Sequence, residues 1–270
     1  MKQSQVLKTI IAARRRRIEE ARASVSLESL RHVAEARSDF RDFSVALSGD
    51  VLSVIAELKK ASPSKGLLRP EFRPLEIAQA YQQAGASALS VLTEEEFFQG
   101  SLNDLMAVRG VVKLPVLRKD FIVDEYQVYE AVAAGADAFL LIVAALEDKD
   151  LKHFLDLAKQ LRVTALVEVH TAEELDRAVA VGAQTIGINN RNLQTLEVSL
   201  ETSFRLREKI PPQCLAVSES GIKSGADLER LAKAGFNAVL IGEHLMLAAD
   251  PGEELSRLLK SAPTLKMAGA

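Results

Sequence analysis

Beyond residue 50 the chain alternates between short apolar runs and longer stretches in which apolar residues return every third or fourth position. Eight runs, at 54–59, 88–93, 116–119, 138–143, 165–169, 186–189, 215–218 and 238–242, are rich in Val, Ile and Leu. Short, nearly continuous apolar segments are what strands covered on both faces require. The stretches between them, among them 75–84, 125–134, 149–161, 172–181 and 225–234, carry the helical period. Four of these helices run into a glycine, namely Gly85, Gly135, Gly182 and Gly235. A glycine just past the last turn accepts the left-handed conformation that closes a helix. The pattern is a βα unit used eight times. Its seven steps from Glu57 to Gly242 average about 26 residues, near the spacing of an eight-unit barrel.

Eight consecutive βα units either close into a barrel or open into a doubly wound sheet. The open sheet carries a glycine fingerprint after its first strand. Here that strand runs into Ser62-Pro63-Ser64-Lys65-Gly66, which has neither the dinucleotide nor the P-loop spacing. The sequence therefore predicts an α/β protein of the (β/α)8 TIM-barrel class, a single domain over residues 1–270. Residues 1–48 are predicted as an N-terminal helical extension, with Val6, Leu7, Ile10, Ile11 and Ile18 at helical spacing. The basic run 14–17 is followed at once by Glu19 and Glu20, and is expected to be the solvated face of that helix.

Composition narrows the chemistry. With 34 basic and 37 acidic side chains the formal net charge is −3, far from the basic footprint of a nucleic-acid protein. A single cysteine, Cys214, excludes an internal disulfide and any multi-thiolate metal site. The histidines, His32, His153, His170 and His244, match no metal-ligand spacing, so no metal is expected. No apolar run approaches the roughly 20 residues of a membrane span, and no apolar segment near the N-terminus leads to a cleavage site. The expected protein is cytoplasmic, with neither nucleic acid nor membrane as a partner.

In a barrel of this kind the chemistry gathers at the C-terminal ends of the strands. Side-chain alternation sorts each strand into a face toward the barrel axis and a face toward the helices. On the first strand Val54, Ala56 and Leu58 form the outer set, which turns Glu57 and Lys59 inward. The fifth strand turns Leu166, Glu168 and His170 inward, the sixth Gly187, Asn189 and Arg191, and the third ends on Lys119. Ser218 or Ser220 joins them from the seventh. Two lysines and two carboxylates converging on an apolar mouth perturb one another's proton affinities, as acid–base chemistry requires; a structural ion-pair network would use the same groups. The turns Ser218-Glu219-Ser220-Gly221-Ile222 and Ile241-Gly242-Glu243-His244 offer glycine N–H groups to an anion, the phosphate site recurrent in barrel enzymes. Arg191 is a candidate charged donor there and Ser62 a candidate hydroxyl. Phe97, Phe98 and Phe121 are loop aromatics beside the mouth, suited either to core packing or to a pocket for a flat aryl group.

The segment Ile55-Ala56-Glu57-Leu58-Lys59-Lys60-Ala61-Ser62-Pro63-Ser64-Lys65-Gly66 strongly resembles the opening motif of indole-3-glycerol phosphate synthases. So do Leu92-Thr93-Glu94 with Phe97-Phe98-Gln99-Gly100-Ser101, and Leu117-Arg118-Lys119-Asp120-Phe121-Ile122. Leu166-Val167-Glu168-Val169, Gly187-Ile188-Asn189-Asn190-Arg191-Asn192-Leu193 and the Ser218–Ile222 turn continue it. The resemblance implies closure of the indole ring in tryptophan biosynthesis. The implied substrate is 1-(2-carboxyphenylamino)-1-deoxyribulose 5-phosphate, the products are indole-3-glycerol phosphate, carbon dioxide and water, and no cofactor is expected.

Residue by residue, the resemblance implies Lys119 as the general acid that protonates the ketone oxygen. Lys59 would contact the substrate carboxylate and is a candidate acid in the later dehydration. Glu168 and Glu57 would be base and partner, their division of labour left open. Asn189 would bond the substrate hydroxyls and Ser220 complete the polar wall. Gly221, Gly242 and Glu243 would hold the phosphate through backbone N–H groups, with Ser62, Arg191 and Glu219 in the same binding set. Phe98, Phe121 and Leu140 would sandwich the anthranilate ring. His244 departs from the Ser or Ala expected at its turn. The implied partner is a small phosphorylated molecule, and the implied assembly a monomer or weak homodimer. Two other functions fit the inward groups: an aldolase-like barrel with Lys119 or Lys59 as a Schiff-base nucleophile, and a non-catalytic sensor of a phosphorylated metabolite.

Overall fold

In the computed structural model, which describes residues 5–261, the predicted strands close into a parallel eight-stranded barrel. They are β1 (Ser53–Leu58), β2 (Ala88–Leu92), β3 (Val116–Lys119), β4 (Ala138–Ile142), β5 (Thr164–Val169), β6 (Thr185–Asn189), β7 (Leu215–Glu219) and β8 (Ala238–Ile241). Each pairs with its neighbours in sequence, and β1 closes the ring against β8 with Ser53 beside Ala238. Residues 1–4 and 262–270 of the predicted domain lie outside the described residues. A two-stranded ribbon in the loop after β1, pairing Ala61–Ser62 with Gly66–Leu67, is too short for periodicity to reveal.

The predicted alternation holds, and it divides the apolar side chains into two cores. Ile55, Leu117, Leu140, Leu166, Val217 and Leu240 fill the barrel interior. Val54, Ala56, Leu58, Val167, Val169, Ile186 and Ile188 pack outward against the helices. The glycines predicted to end helices adopt φ values of 82° to 100°, which only glycine reaches without strain. Cys214 is a buried filler with its thiol toward the Ala183 carbonyl.

Three helices precede the barrel: α1 (Gln5–Ser24), α2 (Leu27–Ala36) and α3 (Phe43–Leu47). The last presses the fully buried Phe43 and Leu47 into the barrel interior, and its Ala46 carbonyl accepts the hydroxyl of Ser53 at 3.1 Å. That plug closes the N-terminal end, leaving the opposite mouth for chemistry. α1 buries Leu7, Ile10 and Ile18 as its periodicity predicts. The solvated basic face needs correction at one position. Arg14 is only 4% exposed, and its guanidinium bonds Glu95 at 2.5 Å and Asp120 at 3.1 Å. Carboxylates from two barrel loops, invisible to a local count of charges, draw it inward.

Candidate active site

β1 delivers Glu57 and Lys59 to the mouth, two residues apart on one face, and the Lys59 ammonium bonds Glu57 Oε1 at 2.5 Å. β3 delivers Lys119 from another side. Its Nζ lies 3.3 Å from Glu168 Oε2 on β5 and 3.9 Å from Glu219 Oε2 on β7. Asn189, at the end of β6, also hydrogen-bonds Glu168, and its Oδ1 accepts the Arg191 N–H at 3.0 Å. Register explains the meeting: Glu168 lies beside Gly187, and Asn189 beside Glu219, so these inward positions form one layer.

Glu219 was expected only in the binding set, yet it stands within the charged cluster. With Val217 in the inner core, alternation turns Glu219 inward and Ser218 outward. Ser218 is accordingly fully buried against Asn190 and Ser203, at 3.1 and 2.7 Å, and falls out as a site candidate. Ser220 leaves the strand with a φ of 68°, and its carbonyl accepts the side-chain amide of Asn190. Counting from Val217 rather than from the serines identifies Glu219 from sequence alone. Glycine makes its room: a Cβ on Gly187 would come within 3.2 Å of Glu219 Cδ.

The titration states follow from burial and neighbours. Burial and the carboxylate of Glu168 push the Glu219 carboxyl well above the usual range and favour its protonated form, although Lys119 opposes them. For Glu168, burial works in the same upward direction but Lys119 and His170 outweigh it, and this carboxyl is held below the usual range. Lys119 is raised despite burial, because Glu168, Glu219 and Glu57 all favour its charged form.

The predicted phosphate turns lie beside this cluster. Gly221 has a φ of 85°, and a Cβ there would meet Val198 Cγ1 at 2.7 Å. Gly242 follows β8 and packs against Glu57. Glu243, which begins a short helix (Glu243–Leu247), receives an ion pair from Arg191 at 2.9 Å. On the other flank the Phe98 and Phe121 rings lie 5.9 Å apart, tilted by 39°. The loop of Phe98 is fixed by the buried Glu94, which accepts the N–H groups of Glu96, Phe97 and Phe98. Leu140 is buried in the inner core below the mouth, and Ser62 lies in the ribbon with its hydroxyl 3.5 Å from that of Ser64. Neither touches the charged cluster through a polar contact.

The arrangement can deliver a proton from a lysine and accept one at a buried carboxylate, beside a turn suited to phosphate. No group of three or more His, Cys, Asp or Glu among the described residues is arranged to hold a metal ion. No helix among them is long and apolar enough to cross a membrane.

A family model described as indole-3-glycerol phosphate synthase matches residues 7–258. An indole-3-glycerol phosphate synthase from Laribacter hongkongensis is 49% identical over 260 residues, covering 94% of this chain and 99% of the relative. One from Chloroherpeton thalassium is 53% identical over 244 residues, covering 89% and 94%. Among solved structures, KGPDC from Streptococcus mutans aligns with a TM-score of 0.61 at 12% identity, covering 80% of this chain and 99% of that one. A mandelate oxidase mutant with benzaldehyde aligns at 0.60 and 20% identity, covering 89% and 85%. These two likenesses concern the fold alone.

Proposed function

The chain belongs to the indole-3-glycerol phosphate synthase family, a carbon–carbon lyase of tryptophan biosynthesis, and from that membership we propose how its residues divide the work of ring closure. The ring carbon bearing the carboxylate attacks the ketone carbon of the deoxyribulose chain. Lys119 donates a proton to the ketone oxygen as that carbon–carbon bond forms. Loss of carbon dioxide returns the bonding pair to the ring and restores its aromaticity. Lys59, held by Glu57, first meets the substrate carboxylate and then protonates the departing hydroxyl. Glu168 takes the proton from the neighbouring carbon, so the hydroxyl leaves as water and the indole double bond forms.

The observation that carries this reading is Lys119 Nζ standing at the mouth between Glu168 Oε2 and Glu219 Oε2. Its raised proton affinity is compatible with an acid's role. An alkoxide, whose conjugate acid is about as weak as water, remains the stronger base. Gly221 and Gly242 would hold the phosphate by backbone N–H groups, with Arg191 and Ser62 at its edge and Ser220 in the polar wall. Phe98 and Phe121, above Leu140, would hold the aryl ring at the angle the attack needs. Asn189 would orient the hydroxyls. The proposed working unit is one chain, since each of these groups comes from the same barrel, and the proposed location is the cytoplasm.

Incubation with 1-(2-carboxyphenylamino)-1-deoxyribulose 5-phosphate tests the proposal. Indole fluorescence should rise in step with carbon dioxide release. Borohydride should trap no lysine adduct; covalent capture of Lys119 or Lys59 would favour the Schiff-base alternative.

A further inference from the structure

Glu168 is held from two sides, and the chemistry described so far uses only one of them. Lys119 and Asn189 approach it from the mouth. From behind comes His170, the residue that follows β5, whose side chain is 8% exposed. Its Nδ1 lies 3.1 Å from Glu174 Oε2, and the same oxygen accepts the backbone N–H of His170 at 2.7 Å. Glu174 is itself buried in the first turn of the helix Ala172–Ala180, with its own N–H bonded to Thr171 Oγ1 at 3.2 Å. A carboxylate only accepts, so Nδ1 is the nitrogen that carries a proton. Nε2 is left buried without a hydrogen-bond partner among the described residues, and Glu168 Oε1 stands 3.4 Å from it.

We propose that His170 is a positioning residue for Glu168. Clamped by Glu174 in one ring orientation and protonated on both nitrogens, it presents Nε2–H to Oε1, keeps Oε2 turned toward Lys119 and the substrate, and supplies the positive charge that keeps Glu168 ionised. The titratable groups facing the ring are Glu168 on β5, Glu174 on the helix that follows it and Lys119 on β3, with Glu219 of β7 beyond Glu168. Burial disfavours the imidazolium. The Glu174 hydrogen bond and both carboxylates outweigh it against the opposition of Lys119, and the ring holds its proton above the ordinary histidine range. The inference rests on the reading of Glu168 as the proton acceptor in dehydration.

The test uses the intact enzyme and two readouts. In the first, kcat and KM are measured across pH for the parent, His170→Asn and Glu174→Gln. Loss of the ring's charge should raise the pKa of Glu168, moving the acidic limb of kcat up by about one pH unit, a tenfold loss below that limb, with KM little changed. Glu174→Gln should move it the same way by less. In the second, the histidine rings are titrated by nitrogen NMR, with His170 identified by its absence in His170→Asn. Its ring should titrate above the ordinary histidine value and fall in Glu174→Gln. An acidic limb that superimposes on the parent's in both variants, or a His170 ring titrating at or below the ordinary value, overturns the proposal. If His170→Asn does not fold, assignment passes to variants of His32, His153 and His244, and the Glu174→Gln profile decides. Glu168→Gln separates the two readings. Should it keep turnover, the assignment of the base fails, and the ring–carboxylate coupling is judged by the NMR titration alone.

Discussion

Gly242, which follows β8, stands where any side chain would overlap the carboxyl group of Glu57 on β1: an added Cβ would come within 2.9 Å of Glu57 Cδ and 3.0 Å of its Cβ. The turn proposed to hold phosphate is therefore packed directly against an acid–base residue. Its φ of −126° is open to any residue, so the need for glycine is spatial. Gly242→Ala should lower kcat by about tenfold or more by displacing Glu57, in addition to raising KM. Gly221→Ala, whose Cβ would press on Val198, should act mainly on KM. Steady-state kinetics of the two variants check this, and a parental kcat in Gly242→Ala would contradict it.

Glu219 gives a stability test with a definite sign. Burial and Glu168 raise the pKa of its carboxyl in the fold above the unfolded value of about 4.3. Its contribution to folding is fully present below that pH and is lost as pH rises toward the folded value. Glu219→Gln removes the loss. Thermal melts should show the variant more stable than the parent at pH 7 and converging on it near pH 4. A gap that widens toward acid would mean that Glu219 is ionised in the folded enzyme.

Arg14 ties the extension to the catalytic face through Asp120, which also takes Arg118 at 3.0 Å and the Phe121 N–H at 2.8 Å. Arg14→Met strips one partner from a buried carboxylate and should cost about 3 kcal/mol in urea unfolding at pH 7. Asp120 has its pKa lowered by Arg14 and Arg118 against the effect of burial. Its contribution is present above the unfolded value of about 3.9 and lost as pH falls, so the variant's deficit should shrink below about pH 4. A deficit independent of pH would assign the loss to packing instead.

Phe121→Ala removes one of the two rings proposed to hold the aryl group. For a contact of about 40–80 Å², at roughly 25 cal/mol per Å², binding should weaken by about 1–2 kcal/mol. Turnover should fall too, since the aryl carbon must face the ketone. Titration with an unreactive substrate analogue alongside kcat measures both, and unchanged values would make Phe121 a packing residue.

The barrel was legible because its two periodicities are local: strands of Val, Ile and Leu, and helices closed by glycines such as Gly85 and Gly135. Alternation also placed Glu57, Lys59, Lys119 and Glu168 on the inward face. Part of what escaped was settled by a partner distant in sequence. Arg14 looks solvated until Asp120, 106 residues away, comes to meet it. His170 matches no ligand spacing, and its clamp depends on the turn from β5 into the next helix, which brings Glu174, four residues on, back to its ring. Glu219 follows from Val217 by alternation, but the serines on either side of it carry the more usual polar signal for that turn.

The pairing of Lys119 as proton donor with Glu168 as acceptor is tested most directly by single-turnover kinetics of Lys119→Met, with binding measured separately by a reduced, unreactive substrate analogue. Protonation of the ketone oxygen strengthens only as charge develops there, so it belongs to the transition state. The variant should bind the analogue nearly as well as the parent while the chemical step slows by roughly 10²–10⁴-fold. Loss of analogue binding with a parental rate at saturation would contradict the assignment.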